Sequence, residues 1–191
     1  MQDVSAMVSE GRRTEAVPGP DETATDEAVA RPSQLTPSTF FSRVIGSLAS
    51  NLENVCGYED AAAFVTMVGS SMGEELSEAY AGSIADAPAL AEGLAAALVD
   101  LKARIGGGFR VESIESGRIV FVNSVCPFAQ QVKGRPSLCM MTTNVFGRIA
   151  ADSSGYARVE IEEAIALGHS RCRVVVDLDP DRAGDGYRFW S

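Results

Sequence analysis

Three cysteines, Cys126, Cys139 and Cys172, carry the chemistry that this sequence makes available. Twelve residues separate the first two. The thiolate is the form that attacks electrophiles and binds metals, and a thiol in the first turn of a helix is acidified by the unpaired N–H groups there. Cys139 follows Arg135-Pro136-Ser137, which reads as a helix start, so it is expected to ionise readily. Lys133 and Arg135 lie in the intervening loop AQQVKGRPS and would favour thiolates or an anionic ligand nearby. Three thiolates could hold zinc or an iron–sulfur cluster, with His169 or Cys56 as a fourth ligand. The competing reading is that each cysteine is a small buried hydrophobe, and no CxxC pair decides between the two.

Other catalytic signatures are absent. The sequence has no P-loop, GxGxxG, GxSxG or HExxH motif. Its one histidine, His169, falls in an expected turn between strands, which suits exposed hydrogen bonding better than general-base work. Gly106-Gly107-Gly108 follows a helical stripe instead of opening one, so it reads as a helix stop. Glu160 and Glu162 share one face of an expected strand, the wet one.

The elements that must position the cysteines follow from periodicity. A helix is expected from Thr36 to Cys56-Gly57, with Pro37 in its first turn and a stripe of Phe41, Val44, Ile45, Leu48, Leu52 and Val55. A second runs from Glu59 to Tyr80, with Val65, Val68, Met72, Leu76 and Tyr80 toward the core. A third carries Leu90, Leu94, Leu98, Leu101 and Ile105. The period then changes. Segments 109–115 and 118–123 read as a hairpin around Ser116-Gly117, and 136–152 as a helix. Segments 156–163 and 172–178 alternate as a second strand pair joined through Gly168. Tyr187, Phe189 and Trp190 form a candidate closing patch near the C-terminus. The expected fold is α+β: N-terminal helices packed on a mostly antiparallel sheet of about four strands, with a helix between two hairpins.

Composition narrows the function classes. Residues 1–35 are acidic, rich in Ala, Thr and Pro, and without hydrophobic periodicity, so they read as a disordered tail. Residues 36–180 are expected to form one domain and 181–191 a C-terminal tail. The net charge of −10 argues against direct nucleic-acid binding. No apolar run is long enough for a membrane span, and no secretory signal is recognisable, so a cytoplasmic location is expected. Gly69 and Gly73 on one helix, with Ala91, Ala95 and Ala96 on another, permit close helix contact, and a homodimer is expected on that basis.

The segment C-P-F-(x)6-R-P-S-L-C-M-M-T-T-N-V-F-G-R-I-A-A, followed by G-Y-A-R-V-E-I-E-E-A-I-A-L-G-H-S-R-C-R-V-V-V, resembles the methanogen output domain. It is also similar to the vinyl-reductase-like (V4R) small-molecule-binding domains and to the cysteine region of iron–sulfur-binding repressors of the SufR type. The resemblance implies a ligand-site role for Cys126, Cys139 and Cys172, and Phe128 belongs to the same Cys-Pro-Phe element. Cys126, Phe128, Lys133 and Arg135 are the expected ligand-binding residues. The implied function is a signalling or sensor module that binds a small ligand, metal or redox cofactor and passes the change to a protein partner. An enzyme or accessory factor of tetrapyrrole or other small-molecule metabolism, and a purely structural interaction domain, are the alternatives.

Overall fold

The computed structural model describes residues 35–191, so the expected acidic tail lies outside the described residues. The two expected N-terminal helices form one 49-residue helix, α1 (Pro37–Ala85), interrupted only at Gly57, where φ is 83° and ψ is 171°. Thr36 caps its start by accepting the Thr39 N–H at 3.2 Å, and Pro37 occupies the first turn. A short turn leads to α2 (Leu90–Arg104). The hairpin β1 (Arg110–Glu115) and β2 (Arg118–Asn123) turns at Ser116 and Gly117, both at positive φ. A loop with two short 3-10 turns, at Ala129–Val132 and Pro136–Leu138, runs into α3 (Cys139–Ser154). Then come β3 (Tyr156–Glu163), β4 (Cys172–Asp177) and β5 (Tyr187–Trp190).

The strands make one antiparallel sheet in the order β1-β2-β4-β3-β5. The fold is α+β, as the change of period indicated. Segment 181–191, read from sequence as a tail, contains the fifth strand. Phe189 of β5 seats its ring over Gly147 of α3, where a Cβ would fall 2.2 Å from the ring. On the inner face of the sheet, Ile119 and Phe121 of β2, Val174 and Val176 of β4, and Ala157 and Val159 of β3 meet Phe146 and Ile149 of α3 and Leu94 and Leu98 of α2. Alternation puts Asn123 and Cys172 on that same inner face, beyond Phe121 and Val174. On the other face, Arg158 and Asp177 form a buried ion pair at 3.0 Å, which Arg182 joins at 3.1 Å.

The orientation of α1 differs from the sequence expectation over its first half and at Val68 and Met72, whereas Val65, Leu76 and Tyr80 pack toward the core as expected. Its buried face is made of small residues: Gly46, Ala49, Ala61, Ala62, Gly69, Gly73 and Ser77, with Val65 and Ile84. A Cβ on Gly69 would lie 2.9 Å from Cβ of Asn144, and one on Gly73 2.7 Å from Cβ of Arg148. Those glycines are therefore consumed within the chain, in the contact between α1 and α3. Ala95 is likewise buried in the core. The large apolar residues point away: Phe41 is 61% exposed, Leu48 59% and Val55 86%, and Phe64, Met67, Val68 and Met72 are exposed too. Among the described residues, no helix is long and apolar enough to cross a membrane.

Candidate functional site

The inner face of the sheet does not stay filled to its end. Past Phe121 and Val174, where β2 and β4 leave the core, the sheet, α2, α3 and the loop after β2 enclose a cavity of about 300 Å³. Its floor is Asn123, Ile161, Cys172 and Val174. Lys102 and Phe109 form one wall, and Cys139, Met141 and Thr142 another. Cys126, Pro127, Phe128, Val132 and Leu138 close it from the loop, and Ser38, Phe41, Ser42 and Ile45 of α1 form its rim.

The three cysteines thus line one cavity, each delivered by a different element. Cys172 opens β4, opposite Asn123 in the strand register, and its Sγ accepts the Ile165 N–H at 3.4 Å. Cys139 opens α3, and Cys126 lies just beyond β2. None is in a disulfide. All three are half-buried, and that burial raises their pKa values: Cys126 and Cys172 above the ordinary thiol range, and Cys139 from 9.0 to about 12. The N-terminal end of α3 was expected to acidify Cys139. Desolvation prevails instead, because the thiol sits among apolar side chains, and its thiol neighbours Cys172 and Cys126 add like-charge repulsion.

The other expected site residues are placed as follows. Phe128 lines the cavity. Lys133 lies outside it, in a shallow depression shared with Cys126 and His169. Arg135 is turned toward α1, where its guanidinium donates to Ser50 Oγ and, at 2.8 Å, to the Gln131 carbonyl. His169 holds the β3–β4 connection, with Nδ1 3.2 Å from the Ala164 N. Cys56 donates to the Leu52 carbonyl within α1 and does not line the cavity.

Sequence reasoning passed over the residue that dominates the cavity electrostatically. Lys102 is almost wholly buried. Its Nζ donates to Thr142 Oγ1 at 2.9 Å and sits 5.5 Å and 5.2 Å from the ring centroids of Phe109 and Phe146. Among the described residues no carboxylate lies within ion-pair distance of it. Burial lowers its pKa from 10.5 to about 8, and the titratable thiols of Cys126, Cys172 and Cys139 act in the opposite direction. Asn123, on the floor, is equally buried; its Nδ2 donates to the Val125 carbonyl at 2.7 Å, and its Oδ1 has no hydrogen-bond partner.

The three cysteines do not form a preformed metal centre. Among the described residues, no group of three or more His, Cys, Asp or Glu side chains is arranged to hold one. A cation placed among these thiols would meet the repulsion of the Lys102 ammonium. The arrangement fits a small organic molecule: apolar walls with one buried cationic donor.

Solved structures of low sequence identity resemble this fold. The phenol-responsive sensory domain of the transcription activator PoxR, solved with phenol, is 15% identical, with a TM-score of 0.56 over 71% of this chain and 73% of that one. Trafficking protein particle complex subunit 3 from Naegleria fowleri, covalently bound to palmitic acid, is also 15% identical, with a TM-score of 0.51 over 73% of this chain and 93% of that one. At such identity the likeness is one of fold. No curated protein matches the chain. The signature of methanogen output domain 1 spans residues 44–177, from within α1 through β4, and the chain belongs to that family.

Proposed function

We propose that the chain is a ligand-binding regulatory domain whose cavity takes a small, largely apolar molecule and whose α1 passes occupancy to a second copy of the chain. The observation that carries this reading is the cavity itself. It is a pocket of about 300 Å³ at the end of the sheet, apolar on its walls, holding a buried lysine that has no counter-ion among the described residues. A fold has little structural use for such a group, since burying an uncompensated charge costs several kcal/mol. A ligand that hydrogen-bonds to it offsets that cost. The likeness to a sensory domain that responds to a small aromatic molecule supports the same reading.

The rim supports the link to a partner. Phe41 and Ile45 border the cavity mouth and also belong to the exposed apolar stripe of α1. That stripe continues through Leu48, Phe64 and Val68 along an apolar groove lined by Phe128 and Met141, which reach the cavity from its other side. A second α1 lying along the groove would cover both, and a twofold pairing is the commonest closed assembly. The cavity mouth would then open or close with the pairing.

The test is titration of the full chain with ethylbenzene, followed by calorimetry and thermal unfolding. Saturable binding is expected, with a melting temperature raised by at least about 4 °C at a hundredfold excess over Kd. Cys172→Phe, which fills the floor, should abolish both effects. An unchanged response in Cys172→Phe, or no saturable binding in the parent, would refute the reading.

A further inference from the structure

Among the described residues that line the cavity, Lys102 is the one with a charged side chain. Its Nζ lies against two other lining groups, 2.9 Å from Thr142 Oγ1 and 5.5 Å from the centroid of the Phe109 ring. The thiols of Cys126, Cys139 and Cys172, which reach the cavity from three different elements, all act electrostatically on it, so the ammonium stands between those elements. The bond to Thr142 uses one ammonium proton and leaves two to donate. Thr142 Oγ1 accepts in that bond, which leaves its own O–H to donate as well. Two donors thus stand 2.9 Å apart, one on α2 and one on α3, and no Asp or Glu is among the lining residues to receive them.

Charge balance narrows the occupant. A cation would be repelled by the ammonium, and a neutral molecule would leave its charge uncompensated. A dianion such as a phosphate monoester would bring one charge more than the cavity can match. A monoanion balances Lys102, and a carboxylate is the acceptor-only form of one, with an oxygen for the lysine and another for Thr142. Folding has already taken the ammonium out of water, so the carboxylate's own desolvation is the charge penalty that binding adds. The rest of the lining is mostly apolar. Ile45, Phe128, Leu138 and Met141 line both the cavity and the apolar groove along α1, so an apolar tail can follow them from one space into the other. Resting on the reading of this cavity as a ligand site, we propose that the ligand is a monocarboxylate with an apolar tail, its carboxylate paired with Lys102.

The experiment is calorimetric titration of the full chain at neutral pH with three probes of one length: octanoate, 1-octanol and octylammonium. Octanoate is expected to bind at least about tenfold more tightly than octanol, the worth of a hydrogen bond between charged groups, and octylammonium more weakly than either. Lys102→Met should bring octanoate to the level of octanol or below while leaving octanol unchanged. Lys133→Met, which removes the chain's other lysine from outside the cavity, should change neither. With two lysines in the chain, ¹³C-lysine labelling gives a readout in the parent protein that needs no variant. The Cε signal of Lys102 should titrate at higher pH with octanoate bound than with octanol bound, because an opposite charge favours the ammonium. The titratable thiols around it, Cys126, Cys139 and Cys172, are common to both complexes. Equal binding of octanoate and octanol, tighter binding of octylammonium, or a lysine titration that octanoate does not move overturns the carboxylate assignment, while binding of octanol or ethylbenzene keeps the cavity reading intact. Failure of octanoate, octanol and ethylbenzene alike overturns both.

Discussion

Gly73 and Arg148 touch backbone to side-chain stem: a Cβ on Gly73 would meet Cβ of Arg148 at 2.7 Å. Four residues earlier, Gly69 makes the equivalent approach to Asn144. These two positions set the distance between α1 and α3, and α3 supplies Cys139, Met141 and Thr142 to the cavity. Gly73→Ala should therefore destabilise the chain by about 1 to 3 kcal/mol, the usual cost of overpacking, even though alanine is the better helix former. Urea unfolding of the variant measures it, and a gain in stability would show that the helices can part without cost.

The buried lysine makes stability depend on pH in a direction opposite to that of the thiols. Lys102 holds its proton less tightly in the folded chain, at about 8 against 10.5. Between those values the unfolded chain binds more protons, so stability rises with pH, and below pH 8 the penalty is present in full. Lys102→Met should be more stable than the parent at pH 7 by about 1 to 3 kcal/mol, an advantage that shrinks as pH rises through 8 to 10.5. Chemical unfolding of both proteins at pH 7, 8, 9 and 10 gives the difference directly. A constant difference across that range would contradict the assignment.

Cys139 acts with the reverse sign. Its folded pKa is raised from 9.0 to about 12, so the folded chain holds more protons and loses stability as pH rises above 9. Cys139→Ala should flatten that decline. In the parent at pH 7, Cys126, Cys139 and Cys172 should react with iodoacetamide far more slowly than a free thiol does, because the thiolate fraction is small. Denaturant should restore ordinary reactivity, as read by mass spectrometry of the labelled peptides.

Anaerobically purified protein should contain less than a tenth of an equivalent of zinc or iron. Elemental analysis and the absorption spectrum decide this. One equivalent of metal, lost in a Cys126→Ser variant, would make the cysteines a metal centre and overturn the reading of the cavity as an organic-ligand site.

The exposed stripe of α1 predicts self-association. Sedimentation equilibrium on the full chain should give twice the chain mass at micromolar concentration. Leu48→Glu with Val68→Glu should give a monomer whose circular dichroism is unchanged, since both side chains are exposed. A monomeric parent would leave the stripe for a different protein partner.

The strands and α3 were legible because their signals are local. Ser116-Gly117 announces the first hairpin, and the alternation of Cys172, Val174 and Val176 defines the inner face of β4. The direction of α1 was not, because periodicity identifies a stripe without saying what covers it. Most of its large residues before Leu76 point outward, and the buried face there is built mainly from Gly and Ala, which weigh little in any hydrophobic pattern. β5 escaped notice because four residues at the end of a polar segment carry too little alternation. The cysteines were found by type, but the environment that silences them was not, since burial is a tertiary property. Lys102 and Asn123 left a faint signal. Lys102 lies four residues after Leu98 and eight after Leu94, in phase with the buried stripe of α2, and Asn123 continues the alternation of Ile119 and Phe121. A polar residue in an apolar phase was the clue, and it marks the site more directly than the thiols do.

The break at Gly57 divides α1 into two arms with different tasks. The arm after it is wedded to α3 through Gly69 and Gly73, and the arm before it carries Phe41 and Ile45 over the cavity mouth. Nothing lies within 4 Å of where a Gly57 Cβ would be, so no side chain props the bend open; the backbone conformation of a single residue maintains it. The two arms meet at the one position inside α1 whose φ and ψ are not helical. The first arm is tied to the loop that closes the cavity, through Gly46 on Gln131, Ala49 beside Val132 and Leu138, and Ser50 accepting from Arg135, so a ligand that displaced the loop would displace this arm with it.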